Sequence, residues 1–98
     1  MEANIAALRQ RAPQSEALPR YDRVAQLLTG TASATADEGV KFIRELVADL
    51  QIPALEKYGV TKAHVPDLVE KASRASSMKP NPIQLSNEEL TSILERAI

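Results

Sequence analysis

An all-α chain, a compact bundle of about five to six helices, is predicted by three features of this sequence. Apolar residues recur at steps of three and four over most of its length, the spacing that places side chains on one face of a helix. Two Ser/Thr-x-x-Glu boxes, Thr35 with Glu38 and Ser86 with Glu89, stand just ahead of such periodic runs, where a hydroxyl and a carboxylate can satisfy free backbone N–H groups. Composition points the same way, with one Phe, two Tyr, no Trp and only three Gly among 98 residues, a balance that favours aliphatic helix packing.

The first helix runs from Met1 to Arg11, with Ile5, Leu8 and Ala12 at helical spacing, and stops before Pro13. Residues Pro13 to Leu18 then read as an exposed connector, because Pro13 and Pro19 forbid a continuous helix. A second helix opens at Pro19, carries Tyr21, Val24, Leu27 and Leu28 as its apolar stripe, and closes at Gly30, which takes a left-handed conformation without penalty. The third helix starts at the Thr35 box. Its inner face is Val40, Ile43, Val47 and Leu50, widened by Phe42 and Leu46, while Asp37, Lys41, Glu45 and Asp49 face water. Gly39 lies in its first turns and signals either fraying or the close approach of a neighbouring backbone.

Pro53 ends or bends that helix at Ile52, and Leu55 to Tyr58 add one turn closed by Gly59. Thr61 caps the approach to a fourth helix, where Pro66 fits the first turn and Val65, Leu68, Val69 and Ala72 form the buried stripe. Ser73 to Pro80 is polar apart from Met78, and Asn81-Pro82 forces a turn. From the Ser86 box the last helix points Leu90, Ile93, Leu94 and Ala97 inward. Taken together these elements predict a single helical domain over 1–98, with an arm at 1–18 and a core at 19–98.

Charge and chemistry exclude several functions. Twelve basic and thirteen acidic side chains give a net charge of −1 with no basic block, so nucleic acid is not an expected partner. No apolar run nears the roughly 20 residues of a membrane span, no signal-peptide pattern opens the chain, and a cytoplasmic location is expected. Without Cys there is neither a disulfide framework nor a thiolate metal site. The lone His64 has no second imidazole or suitably spaced carboxylate, and reads as a surface or capping residue. Glycines at 30, 39 and 59 build no phosphate-cradling turn. Ser73, Ser76 and Ser77 lack a nucleophile elbow. No catalytic, cofactor-binding or metal-binding residue is therefore assigned to the chain itself.

The stretch from Ile52 to Ile98 nevertheless carries an ordered set of short motifs: Ile52, Pro53, Leu55, Gly59, Val60 and Thr61, then Pro66, Leu68 and Ala72, then Asn81-Pro82 and a helix starting at Ser86. In that order it resembles the C-terminal end of the iron-type (group III, metal-dependent) alcohol dehydrogenases, whose segment reads roughly I-P-x-L-x-x-x-G-[IV]-T, P-x-L-x-x-x-A, N-P and a closing Ser- or Thr-capped helix. By pattern the similarity extends over Pro19 to Ile98. Met1-Glu2-Ala3-Asn4 also resembles the end of the V-M-x-x-N stretch that follows the family's last metal-binding His.

The resemblance implies that this chain is the C-terminal helical part of a larger NAD(P)-dependent enzyme. In such a parent, an upstream domain supplies the Gly-rich dinucleotide turn, and an Asp and three His on preceding helices hold Fe(II) or Zn(II). None of those positions maps onto this sequence, so no cofactor is expected on the chain alone. It further implies that the loop before Asn-Pro, with Ser76, Ser77, Met78 and Asn81, lies on the substrate side of the metal cleft. On composition alone the same loop reads as a solvated connector. This sequence departs from the family at Ile83, where Arg usually follows Asn-Pro.

Two functional readings follow. In the first, the chain walls the metal and substrate cleft of the full enzyme and is inactive alone, its partners being the upstream domains. In the second, it is a stand-alone helical protein-protein interaction module. Both leave apolar helix faces uncovered on the isolated chain, and both predict a homo-oligomer, with the 1–18 arm able to exchange between copies about its flanking prolines.

Overall fold

Every regular element is built by backbone hydrogen bonding within a local segment: the computed structural model, which describes residues 1–98, contains helices and no strand. The all-α expectation holds, with five α-helices: α1 (Glu2–Arg11), α2 (Ala17–Thr29), α3 (Ala36–Asp49), α4 (Val65–Arg74) and α5 (Asn87–Ala97). Three short 3₁₀ turns, Leu55–Tyr58, Lys62–His64 and Ser76–Met78, lie between them. The chain divides into two compact units, Met1–Ile52 and Pro53–Ile98. No helix is long and apolar enough to cross a membrane.

In the first unit, α2 begins at Ala17, two residues before Pro19, so the connector is shorter than the prolines alone suggest. The Ser15 hydroxyl accepts from the Ala17 N–H at 3.2 Å, and Pro19 takes the third helical position, where no intrahelical N–H bond is required. The segment expected as an arm packs onto its own chain through Ile5, Ala7 and Leu8, with Leu8 only 1% exposed. Asn4 donates to the Tyr21 hydroxyl at 2.9 Å, and Arg44 pairs with Glu2, tying α1 to α2 and α3.

The inner face of α2 differs from the one its largest residues suggest. Ala25 is fully buried, whereas Val24, Leu27 and Leu28 are 40%, 70% and 38% exposed. The cause is steric. A Cβ placed on Gly39 of α3 would lie 2.7 Å from the Ala25 Cβ and 3.1 Å from its Cα, so α2 and α3 meet backbone to backbone where only small side chains fit. That contact resolves the role of Gly39 as close approach. It also turns the wider side chains outward, since residues on either side of Ala25 cannot share the same narrow seam. On α3 the expected inner face is likewise corrected: Val40, Phe42 and Ile43 are half-buried, but Leu46, Val47 and Leu50 are exposed. Asp22 fixes the crossing by accepting from the Ala36 N–H at 2.8 Å, satisfying a free donor at the start of α3 from a neighbouring helix.

The local stop and start signals behave as their chemistry requires. Gly30 has φ 69° and its N–H donates to the Gln26 carbonyl. The Thr35 box forms, with the Thr35 N–H donating to Glu38 at 2.7 Å. α3, however, stops before Pro53 is reached. Gln51 adopts φ 52°, its N–H bonds the Ala48 carbonyl, and the Ile52 N–H bonds the Val47 carbonyl at 3.1 Å. This is the paired Schellman closure with a glutamine in the position glycine usually takes.

In the second unit, Gly59 (φ 83°) closes the first 3₁₀ turn and the Val60 N–H reaches back to the Leu55 carbonyl. Thr61 and His64 form a capping box ahead of α4, the Thr61 N–H donating to His64 Nδ1 at 3.0 Å. The core is Val65, Val69 and Leu90, packed by Met78, Leu85, Ile93, Leu94 and Ile98. Leu68 and Ala72, expected in the stripe, are half-buried, and Ala97 is exposed while Ile98 takes the inward position. Ser86 Oγ accepts from the Glu89 N–H at 3.1 Å and the Ser86 N–H donates to Glu89 at 2.8 Å, completing the second box.

Two substitutions test these backbone arguments. Gly39→Ala raises intrinsic helix propensity by about 1 kcal/mol, yet the clash with Ala25 outweighs it, and a net loss of about 1–2 kcal/mol is expected in chemical denaturation followed by circular dichroism. An unchanged or higher midpoint would show that the helices separate freely. Gln51→Gly relieves a left-handed residue and is expected to stabilise by about 0.5–1 kcal/mol; a loss in the same assay would mean that glutamine adopts this conformation without strain.

Candidate functional site

The four residues expected on the substrate-side loop, Ser76, Ser77, Met78 and Asn81, fall into different environments. α4 ends at Arg74, Ala75 is extended (ψ 133°), and Ser76, Ser77 and Met78 form a single 3₁₀ turn. Ser76 and Ser77 are exposed on that turn. Met78 points the other way, half-buried against the Val65, Val69 and Leu90 core, so part of its role is packing. Asn81 donates from Nδ2 to the Ile83 carbonyl at 2.6 Å, bridging Pro82 and holding the turn that the extended Asn-Pro step begins.

Met78 and Asn81 come together in a cleft of about 320 Å³, whose other walls are Ser73, Arg74, Ala75, Lys79 and Gln84. Neither Ser76 nor Ser77 lines it. Arg74, Lys79 and Gln84 thus line this cleft without belonging to any motif of the sequence. Their signal in the sequence is slight: two cations five residues apart on either side of a polar turn, which become neighbours of one cleft only once α4 has stopped at Arg74. Arg74 pairs with Glu70 one helical turn back at 2.9 Å, and the Ser73 hydroxyl donates to the Glu70 carbonyl at 2.8 Å.

Two further clefts are built differently. One of about 350 Å³ has Ile5, Ala6 and Val40 as its apolar floor, with Glu2, Arg9, Asp37 and Arg44 among its walls. Arg9 grips Asp37 through two bonds of 2.9 and 3.0 Å, and these bonds hold the Asp37 carboxyl below its ordinary value and raise the guanidinium. Both partners are exposed, so solvent screening keeps the pair's worth small. The other, about 520 Å³, lies over Val65 and Val69 and is rimmed by Lys62, Glu70, Arg74 and Glu95.

The chain's donor groups do not fit an iron or zinc centre. No three of its His, Asp and Glu side chains gather where they could hold a metal ion. The one imidazole is engaged at Nδ1 by the Thr61 N–H and lies within 3.2 Å of the Thr61 hydroxyl, which gives it a capping role. Nor does any glycine lie in a phosphate-cradling turn, since Gly30 and Gly59 close helical turns and Gly39 is buried against Ala25.

No curated protein and no solved structure matches the chain. A family profile does, over residues 3–98, and it describes the C-terminal region of the Fe-containing alcohol dehydrogenase family. With nearly its whole length covered by that match, and with an all-helical fold carrying the Asn81-Pro82 turn between α4 and a Ser86-capped α5, the chain belongs to the Fe-containing alcohol dehydrogenase family as its C-terminal domain.

Proposed function

We propose that this chain is the helical part of an NAD(P)-dependent, metal-containing alcohol dehydrogenase that walls the metal and substrate cleft in the full enzyme, and that it is inactive alone. The observation that carries the reading is the family match over residues 3–98. The chain's own chemistry supports it: with no gathered ligand set and His64 committed to a cap, the metal belongs on residues outside this segment. Iron or zinc would supply Lewis-acid polarisation of the alcohol or aldehyde oxygen in the parent, and NAD or NADP would carry the hydride. The residues here contribute walls: Met78 and Asn81 shape the loop, and Ser76 and Ser77 offer exposed hydroxyls beside it. A cytoplasmic location goes with this reading.

The upstream domains of the parent are the expected partners. Val24, Leu27, Leu28, Leu46, Val47, Leu50 and Ile52 are 38% to 70% exposed, an amount of open aliphatic surface that favours coverage. The same observation favours the second reading, a stand-alone interaction module, and under either one the isolated chain self-associates. Light scattering is expected to give a dimer or larger species, and a monomer at high concentration would count against association.

The decisive assay is alcohol-dependent reduction of NAD and NADP by this chain with added Fe(II) or Zn(II), with a metal titration on the same sample. No turnover and no stoichiometric metal is expected; turnover with bound metal would overturn the proposal and return His64 and the carboxylates to consideration.

A further inference from the structure

The cleft between the end of α4 and the Asn81-Pro82 turn differs from the two other clefts in having cations but no carboxylate among its walls. In the cleft beside α1, Arg9 faces Asp37 and Arg44 faces Glu2, all four line it, and Lys41, also in its wall, pairs with Glu45 at 3.7 Å. In the cleft over Val65, Lys62 and Arg74 are matched by Glu70 and Glu95. The walls of the third hold Arg74 and Lys79 and no carboxylate at all.

Arg74 and Lys79 keep donors available. Glu70, which meets one terminal nitrogen of Arg74 at 2.9 Å, lies outside the lining, and a guanidinium has five N–H groups to offer. The Lys79 ammonium is exposed and makes no ion pair or side-chain hydrogen bond, so its charge is directed only at solvent. Asn81 and Gln84 add amide groups to the same wall, while Ala75 and Met78 present an apolar one. A fork-shaped cation and a point cation beside a short aliphatic wall match an oxyanion borne on a small apolar stem. A volume of about 320 Å³ suits a small molecule rather than a peptide.

We propose that this cleft binds a small aliphatic carboxylate, its carboxylate group against Arg74 and Lys79 and its stem against Met78 and Ala75. The site stands on this chain's own side chains and goes beyond the dehydrogenase reading, so it can be tested without a metal or a dinucleotide.

The test is amide NMR of the full chain, titrated at constant ionic strength with butanoate, inorganic phosphate and butan-1-ol in turn. Butanoate is expected to give saturable shifts confined to residues 73–84, phosphate to bind more weakly for want of a stem, and butan-1-ol to give none. Lys79→Gln is expected to weaken butanoate about five-fold, in line with the loss of one screened charge contact. Lys79 is exposed and unpaired, so the variant's remaining amide signals should stay in place and report a folded protein. Absent or non-saturable butanoate shifts, phosphate binding as tight as butanoate, or an unchanged affinity in Lys79→Gln would each overturn the assignment.

Discussion

The first unit depends on one steric constraint, the meeting of Ala25 and Gly39. Two helices normally keep 8–10 Å between axes because their side chains interdigitate, and small residues at the crossing allow a closer approach. Here the hypothetical Cβ at Gly39 would sit 2.7 Å from that of Ala25, so the crossing admits nothing larger. Other features follow from that seam. Asp22, one turn before Ala25, comes within 2.8 Å of the Ala36 N–H, one turn before Gly39, and caps α3 from outside. α1 can then supply bulk where α2 and α3 do not, and Leu8 is the largest side chain buried to below 2% exposure.

The second unit reaches order by different means. Its buried core is only Val65, Val69 and Leu90, with partly exposed aliphatics around them, a modest gain against the entropy of fixing 46 residues. Local devices narrow the alternatives. Gly59 closes one turn, the Thr61–His64 box leads into α4, and the Ser86–Glu89 box starts α5. Between them, Asn81 bonds across Pro82 to Ile83 and shapes the loop without demanding burial. A cleft beside such a loop is shaped by local hydrogen bonds as well as by the core.

Legibility in the sequence tracked how local each determinant is. Both Ser/Thr-x-x-Glu boxes, the stops at Gly30 and Gly59 and the turn at Asn81-Pro82 could be read because the residues that make them lie within a few positions of one another. The inner faces of α2 and α3 could not. A periodic pattern treats the largest apolar residues as buried, but the Ala25–Gly39 contact turns Leu27 outward, and Leu50, on the Gly39 face but three turns farther along α3, lies beyond the crossing and is exposed. The end of α3 was hidden for a related reason: Gln51 has no residue-type preference for φ 52°, so Pro53 looked like the stop. His64 as a box partner was masked because an imidazole is not the usual third residue. At the candidate site, family motifs pointed to Met78 and Asn81, but Arg74, Lys79 and Gln84 join them only through the fold of the turn after α4.

Small residues at the helix seam and large ones outside it are two consequences of one choice. If α2 and α3 carried large side chains at their crossing, their axes would stand farther apart and Asp22 would lose its reach to Ala36. By placing Ala25 and Gly39 inside, the sequence gives up buried aliphatic area within the unit and leaves it exposed at Leu27, Leu50 and Ile52. An isolated globular chain gains nothing from that arrangement. A domain that met further helices would gain, because the exposed residues would then bury area at the contact that the seam does not supply. Under the proposed role as part of a full enzyme, the narrow crossing and the open apolar faces serve one end.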